Sequence, residues 1–250
     1  MSETPNNPMG AAQAAMRPAG LKRFYAQASA GEADGGFALL LDGRRARTPA
    51  KNPILSPSRA LAEAMAAEWA GQGETIDPAA MPLTRLVNSA LDGVAAALDA
   101  TRAEIARYAE SDLLCYRAEA PEALVEAESS AFDPILAWAR DTLGAHFVVV
   151  EGIVHRRQPQ AALDAVRTCL ETVDQPIALA ALHVMTTLTG SVLLALAVAK
   201  GRLAAPDAWR IAHVGEDFQI SQWGEDAEAS ARRQARRRDF EAAALTLALL

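Results

Sequence analysis

Hydrophobic and polar positions divide this chain into two regions of different rhythm. From residue 21 the apolar positions come in short runs broken by glycine: LKRFYAQA, GFALLLDG and RRARTP, with Asp34-Gly35-Gly36 and Asp42-Gly43 between them. Runs of that length bounded by turn residues predict strands, and Asp42-Gly43 suits a hairpin because both residues tolerate positive φ. Residues 53–57 close this small sheet. Ser56-Pro57 reads as an N-cap with proline in the first turn, and Leu61, Met65 and Trp69 follow at four-residue spacing, which predicts an amphipathic helix over residues 57–72 covering the sheet. After Gly71-Gln72-Gly73 and a connector carrying Pro78 and Pro82, the rhythm turns helical, over residues 83–91, 95–110, 121–143, 159–173, 206–223 and 226–249. One β-branched run, HFVVVEGI at residues 146–153, has strand character.

The most apolar stretch, residues 176–200, PIALAALHVMTTLTGSVLLALAVAK, has no formal charge before its last lysine. A bilayer core calls for about 20 apolar residues, so a membrane span is one reading. His183, the threonines at 186, 187 and 189, and above all Gly190-Ser191 cut the run into two lengths suited to a protein core, and two buried helices meeting near Gly190 are expected. The predicted architecture is α+β: a disordered tail over residues 1–20, a small sheet with one covering helix over residues 21–80, and a larger all-helical domain over residues 81–250.

Composition narrows the function classes. A net charge of −7 over 250 residues repels nucleic acid, and no nucleic-acid partner is expected. Cys115 and Cys169 sit in apolar-periodic segments and are expected to be free thiols. The four histidines stand far apart, so no metal site is expected. Neither a secretory signal nor an Arg-rich presequence is recognisable in residues 1–20, which places the chain where it is made, most simply a bacterial cytoplasm. Phosphate loops, nucleophile elbows and zinc motifs are absent, so neither a cofactor nor a catalytic residue is assigned.

Two clusters remain. Gly215-Glu216-Asp217 recurs as Gly224-Glu225-Asp226, and paired carboxylates at 225 and 226 could serve a small-molecule hydrolase as general acid and base. The plainer reading makes Gly224 a helix end and Glu225 and Asp226 caps of the next helix. Arg232, Arg233, Arg236, Arg237 and Arg238 place several guanidiniums on one helical face, which reads as solvated and paired with Glu228, Asp239 and Glu241.

The run Asp217-Phe218-Gln219, three residues, then Trp223-Gly224-Glu225-Asp226 resembles the signature of the assembly chaperones for the α subunit of the F-type ATP synthase catalytic head. Leu41-Asp42-Gly43-Arg44 with Thr48-Pro49, Glu68-Trp69 with Gln72, Met81-Pro82-Leu83-Thr84, Asp112-Leu113-Leu114-Cys115-Tyr116-Arg117, Asp133-Pro134 with Trp138, and Gly190-Ser191 fit the same family in order and spacing. Phe132 stands where the family leads one to expect tryptophan. The resemblance covers roughly residues 21–235. It implies a soluble, non-enzymatic chaperone that holds a new α subunit until β displaces it, acting as a monomer without inserting in a membrane; eukaryotic relatives would work in the mitochondrial matrix. Gln219, Trp223, Gly224, Glu225 and Asp226 are the expected partner-binding residues. Trp223 beside two carboxylates is the tryptophan least easily explained as core.

Overall fold

Strand pairing begins later than the pattern predicts. The computed structural model describes residues 21–152, 154 and 156–250, and the tail expected over residues 1–20 lies outside them. β1 (Ala28–Ala33) and β2 (Gly36–Leu41) form an antiparallel hairpin, and β3 (Arg44–Arg45) returns along β2 after Asp42-Gly43. β4 (Leu55–Ser56) pairs with the start of β2. Residues 21–27, expected as a strand, contribute only an isolated bridge from Lys22 to Thr75. At one position β1 has a steric reason for glycine: a Cβ at Gly31 would meet Leu40 Cδ1 at 2.6 Å. Leu40 of β2 occupies the room a side chain at Gly31 would need.

The helix over the sheet, α1 (Arg59–Ala70), starts two residues later than expected. Its N-cap is Ser58, whose Oγ accepts the Leu61 N–H; Ser56 is the last residue of β4. Leu61, Ala62 and Met65 are completely buried beneath it.

The helical part follows as α2 (Pro82–Asp92), α3 (Leu98–Arg107), α4 (Glu122–Trp138), α5 (Gln160–Glu171), α6 (Pro176–Thr189), α7 (Val192–Ala199), α8 (Ala205–Ala212), α9 (Val214–Trp223) and α10 (Ala227–Leu249). The single helix expected over residues 206–223 is two. His213 Nδ1 donates to Trp209 O at 2.7 Å while the His213 N–H turns to Arg210 O, so the α-helical ladder stops there. Of the strand expected at 146–153, whose last residue lies outside the described ones, the described residues form only β6 (Val150–Glu151), parallel to β5 (Tyr116–Arg117).

The uncharged run divides where glycine and serine predict. Gly190 ends α6 with φ +70°, its N–H bonded to Thr186 O, and Ser191 caps α7 by accepting the Leu194 N–H. α6 packs against α2, α3, α7 and α10. Among the described residues, no helix is long and apolar enough to cross a membrane. One hydrophobic cluster runs from Tyr25 and Leu39 in the sheet layer through Met81 of the connector to Leu182, Leu194 and Phe240. Leu194 is completely buried. Leu194→Ala should lower unfolding free energy by about 2–5 kcal/mol, measured by denaturant titration.

Cys115 and Cys169 are free thiols, Cys115 buried and Cys169 half-buried. Burial, with the nearby Asp112 charge adding to it, pushes the Cys115 thiol well above its ordinary range. Cys115 is therefore expected to resist a thiolate-seeking reagent in the folded protein and to react on unfolding.

Candidate partner-binding site

Most of the residues that carry the family resemblance are used to hold the frame. Glu68 reaches from α1 to the start of α2: its Oε1 accepts the Leu83 N–H at 2.7 Å, and its Oε2 accepts the Thr84 N–H at 2.8 Å and the Thr84 hydroxyl at 2.7 Å. These are donors that a helix's first turn leaves unpaired. Burial raises the Glu68 pKa, and the bonds from Thr84 and Leu83 oppose the rise. Trp69 Nε1 donates to the same Thr84 hydroxyl, and Gln72 Oε1 accepts the Asp77 N–H. Glu68→Ala should therefore cost about 1–3 kcal/mol in a chemical unfolding experiment, through the donors it orphans.

The 112–117 segment is built the same way. Asp112 is fully buried and bonded to the N-terminus of α7, through the Leu193 N–H. The buried Arg117 donates to Leu114 O and pairs with Asp133 at 2.7 Å, its guanidinium 4.8 Å from the Phe132 ring centroid. That stacking uses an aromatic face, which phenylalanine supplies as tryptophan would. Asp42 Oδ1 accepts the N–H groups of Ala26 and Gln27.

The signature run at 217–226 is arranged differently. α9 carries no buried residue; it packs along α4 and, with the start of α10, forms an exposed two-helix arm. Arg233 of α10 clasps the arm by pairing with Asp217 and, at 3.6 Å, with Glu216 of α9. Below it, Trp209 and His213 stack with ring centroids 3.9 Å apart, and burial lowers the His213 pKa. The turn between the helices is Gly224, at φ +85°, a backbone conformation open to glycine. Trp223, at this turn, is 84% exposed. Leaving an indole in water forgoes its large apolar burial, so the position is unexplained by folding.

All five expected binding residues are exposed, and Trp223 to Asp226 are contiguous at the tip, with Gln219 one turn back on α9. The capping reading holds for one of the two carboxylates: Asp226 Oδ1 accepts the Ala229 N–H at 2.7 Å as N-cap of α10. Glu225 makes no hydrogen bond or ion pair with any described residue. Catalysis by the two together would need carboxylates converging in an enclosed cleft; here both face solvent and one is engaged as a cap. Among the described residues, no cluster could hold a metal ion.

Three of the five arginines of this α10 run, Arg232, Arg233 and Arg237, are ion-paired. Arg232 pairs with Glu228, Arg237 with Glu241, and Arg236 donates to Leu188 O. Asp239, expected to pair within the helix, instead reaches Arg85 of α2 and ties the two elements together.

A family model for the ATP12 chaperone protein matches residues 22–140. The crystal structure of Atp12 from Paracoccus denitrificans is 41% identical over 92% of this chain and 98% of its own, with a TM-score of 0.85. The chain belongs to the ATP12 chaperone family. The Atu1473 protein from Agrobacterium tumefaciens is 48% identical over 98% of this chain and 92% of its own, with a TM-score of 0.89. A point mutant of the Paracoccus Atp12 superposes equally well, with a TM-score of 0.85. As an ATP12 chaperone, the chain works on ATP synthase assembly. The motifs at 41–49, 68–84 and 112–138 lie inside the matched span, and the arm lies beyond it.

Sequence reasoning missed one feature. Arg45 and Arg47 enter the pattern only as strand residues and Arg44 as strand and family-motif residue, although three cations within four positions beside a hairpin turn are a signal of charge concentration.

Proposed function

We propose that this ATP12 chaperone binds the unassembled α subunit of the F-type ATP synthase and that the arm tip, Gln219 with Trp223 to Asp226, touches it. The observation that carries the reading is the contrast within the family motifs. Glu68, Asp112 and Asp133 are engaged in caps and ion pairs, whereas Trp223 stands 84% exposed beside an unpaired Glu225. An exposed tryptophan ringed by polar groups is the kind of anchor that dominates small interfaces. A catalytic-head subunit awaiting its neighbour exposes apolar interface surface, which a reversible cap would keep from aggregating. We assign the chain to the bacterial cytoplasm, as a monomer without enzymatic activity. The test is co-purification: the tagged protein taken from its own cell should bring the α subunit with it in the absence of excess β subunit. Recovery of β without α, or of neither, would overturn the reading.

A further inference from the structure

The sheet layer carries a second concave surface that differs in chemistry from the arm tip. Phe24, Tyr25, Leu41, Ala46 and Trp69 line a hollow of about 590 Å³ whose rim holds Arg44, Arg45 and Arg47. The floor is aromatic and rigid. Tyr25 and Trp69 lie 5.4 Å apart between ring centroids, and the Tyr25 hydroxyl donates to Trp69 O at 2.6 Å. Phe24 packs edge-on to Tyr25 and is nevertheless 62% exposed.

The rim is a local reversal of sign. The whole chain has net charge −7, yet the three arginines are exposed and none of them pairs with a carboxylate of the described residues. Arg47 donates one bond to Lys51 O, leaving the rest of its guanidinium open. Asp42, the one acid on the lining, is occupied by the N–H groups of Ala26 and Gln27. Elsewhere on this surface the arginines mostly have acidic partners, as on α10. Unpaired guanidiniums beside an exposed phenyl ring are complementary to a carboxylate-bearing segment with an apolar side chain: the fork geometry takes carboxylates in pairs, and the ring takes the apolar group.

We infer that this hollow docks an acidic, extended segment of the client protein, as a contact additional to the arm tip. The inference rests on the chaperone reading for the identity of the client, and on the hollow alone for the chemistry. A nucleic acid fits less well, because the acidic body of the molecule repels a long polyanion beyond the three-arginine rim.

The experiment uses the full chain and a dye-labelled peptide, Asp-Glu-Phe-Glu-Asp, read by fluorescence anisotropy at low and moderate salt. The peptide is expected to bind, to weaken several-fold as salt rises, and to lose about tenfold or more in affinity with R44A/R45A/R47A. Phe24→Ala should lose about threefold to tenfold at either salt concentration. All four substituted positions are exposed, so the melting temperature is the control for folding. Equal binding of a Lys-Lys-Phe-Lys-Lys peptide, or unchanged affinity in the triple variant, would overturn the proposal. Tighter binding of a single-stranded oligonucleotide at the same arginines would overturn it in favour of nucleic acid, and arginine-dependent dimerisation would overturn it in favour of a second copy. Failure here is separable from failure of the function: α-subunit capture that survives R44A/R45A/R47A leaves the chaperone reading intact and removes this hollow from it.

Discussion

Asp112→Ala should lower unfolding free energy by about 3 kcal/mol or more, the largest stability effect expected from any single carboxylate discussed for this fold. Asp112 is fully buried, between the 112–115 turn and α7. Its Oδ1 accepts the Leu114 N–H at 3.0 Å and its Oδ2 the Leu193 N–H at 3.1 Å, with the Val192 N–H and the Ser191 side chain as further partners. Leu113 N–H bonds back to Gly190 O, so the two turns hold each other. Alanine would strand these donors in an apolar interior, since α7 is buried over nearly its whole length. Burial also pushes the Asp112 carboxyl up to about 6, the hydrogen bonds opposing but not cancelling the desolvation. A folded pKa above the unfolded value means that the folded state binds the proton more tightly, so this group's contribution is complete below about pH 4 and is lost as pH rises through 6. The loss is about 3 kcal/mol at most. Asp112→Asn cannot titrate, so the wild type's stability relative to it should fall between pH 4 and pH 7. A difference that stays constant over that range would show that the carboxyl is not perturbed.

Asp112 also marks what the sequence could and could not disclose. Its neighbourhood was readable as a family motif, but its partner at α7 is 81 positions away and is brought near by packing alone. The division of the apolar run was readable locally, because Gly190 and Ser191 supply a left-handed C-terminus and an N-cap within two residues. β1 was not, because apart from Glu32 it is made of Ala, Ser and Gly, and such residues carry no strand signature. The break at His213 was hidden for another reason: it depends on a side chain taking the Trp209 carbonyl, within a segment whose apolar spacing continues as if helical. At the arm, the oddity of tryptophan beside two acids was legible, while the separate uses of those acids were not. Asp226 caps and Glu225 does not, a distinction of one residue in where α10 begins. The arginine rim was legible as charge and illegible as a hollow, because Phe24, Leu41 and Trp69 reach it from three segments.

Glu225→Lys should leave the fold nearly unchanged and sharply weaken client capture. The side chain is exposed and has no partner among the described residues, so its replacement should alter stability by no more than about 0.5 kcal/mol. Its position beside Trp223 makes the same change large at an interface, where reversing a charge against its complement costs several kcal/mol. Trp223→Ala should act in the same direction through loss of an aromatic anchor, again with little effect on melting, since the residue is already 84% exposed. Asp226 separates the two roles. Asp226→Asn keeps an oxygen for the Ala229 N–H and so keeps the cap, whereas Asp226→Ala removes it and should cost about 1 kcal/mol. If Asp226→Asn binds the α subunit as well as wild type while Asp226→Ala melts earlier, Asp226 serves the turn and Glu225 alone supplies the charge. Both quantities are to be measured on one preparation, thermal unfolding and the fraction of denatured α subunit kept soluble on dilution. A folded Glu225→Lys protein that protects the α subunit as the wild type does would take the arm tip out of the binding surface, and the contact would then have to be sought elsewhere on the chain, first at the exposed Phe24 and its three arginines.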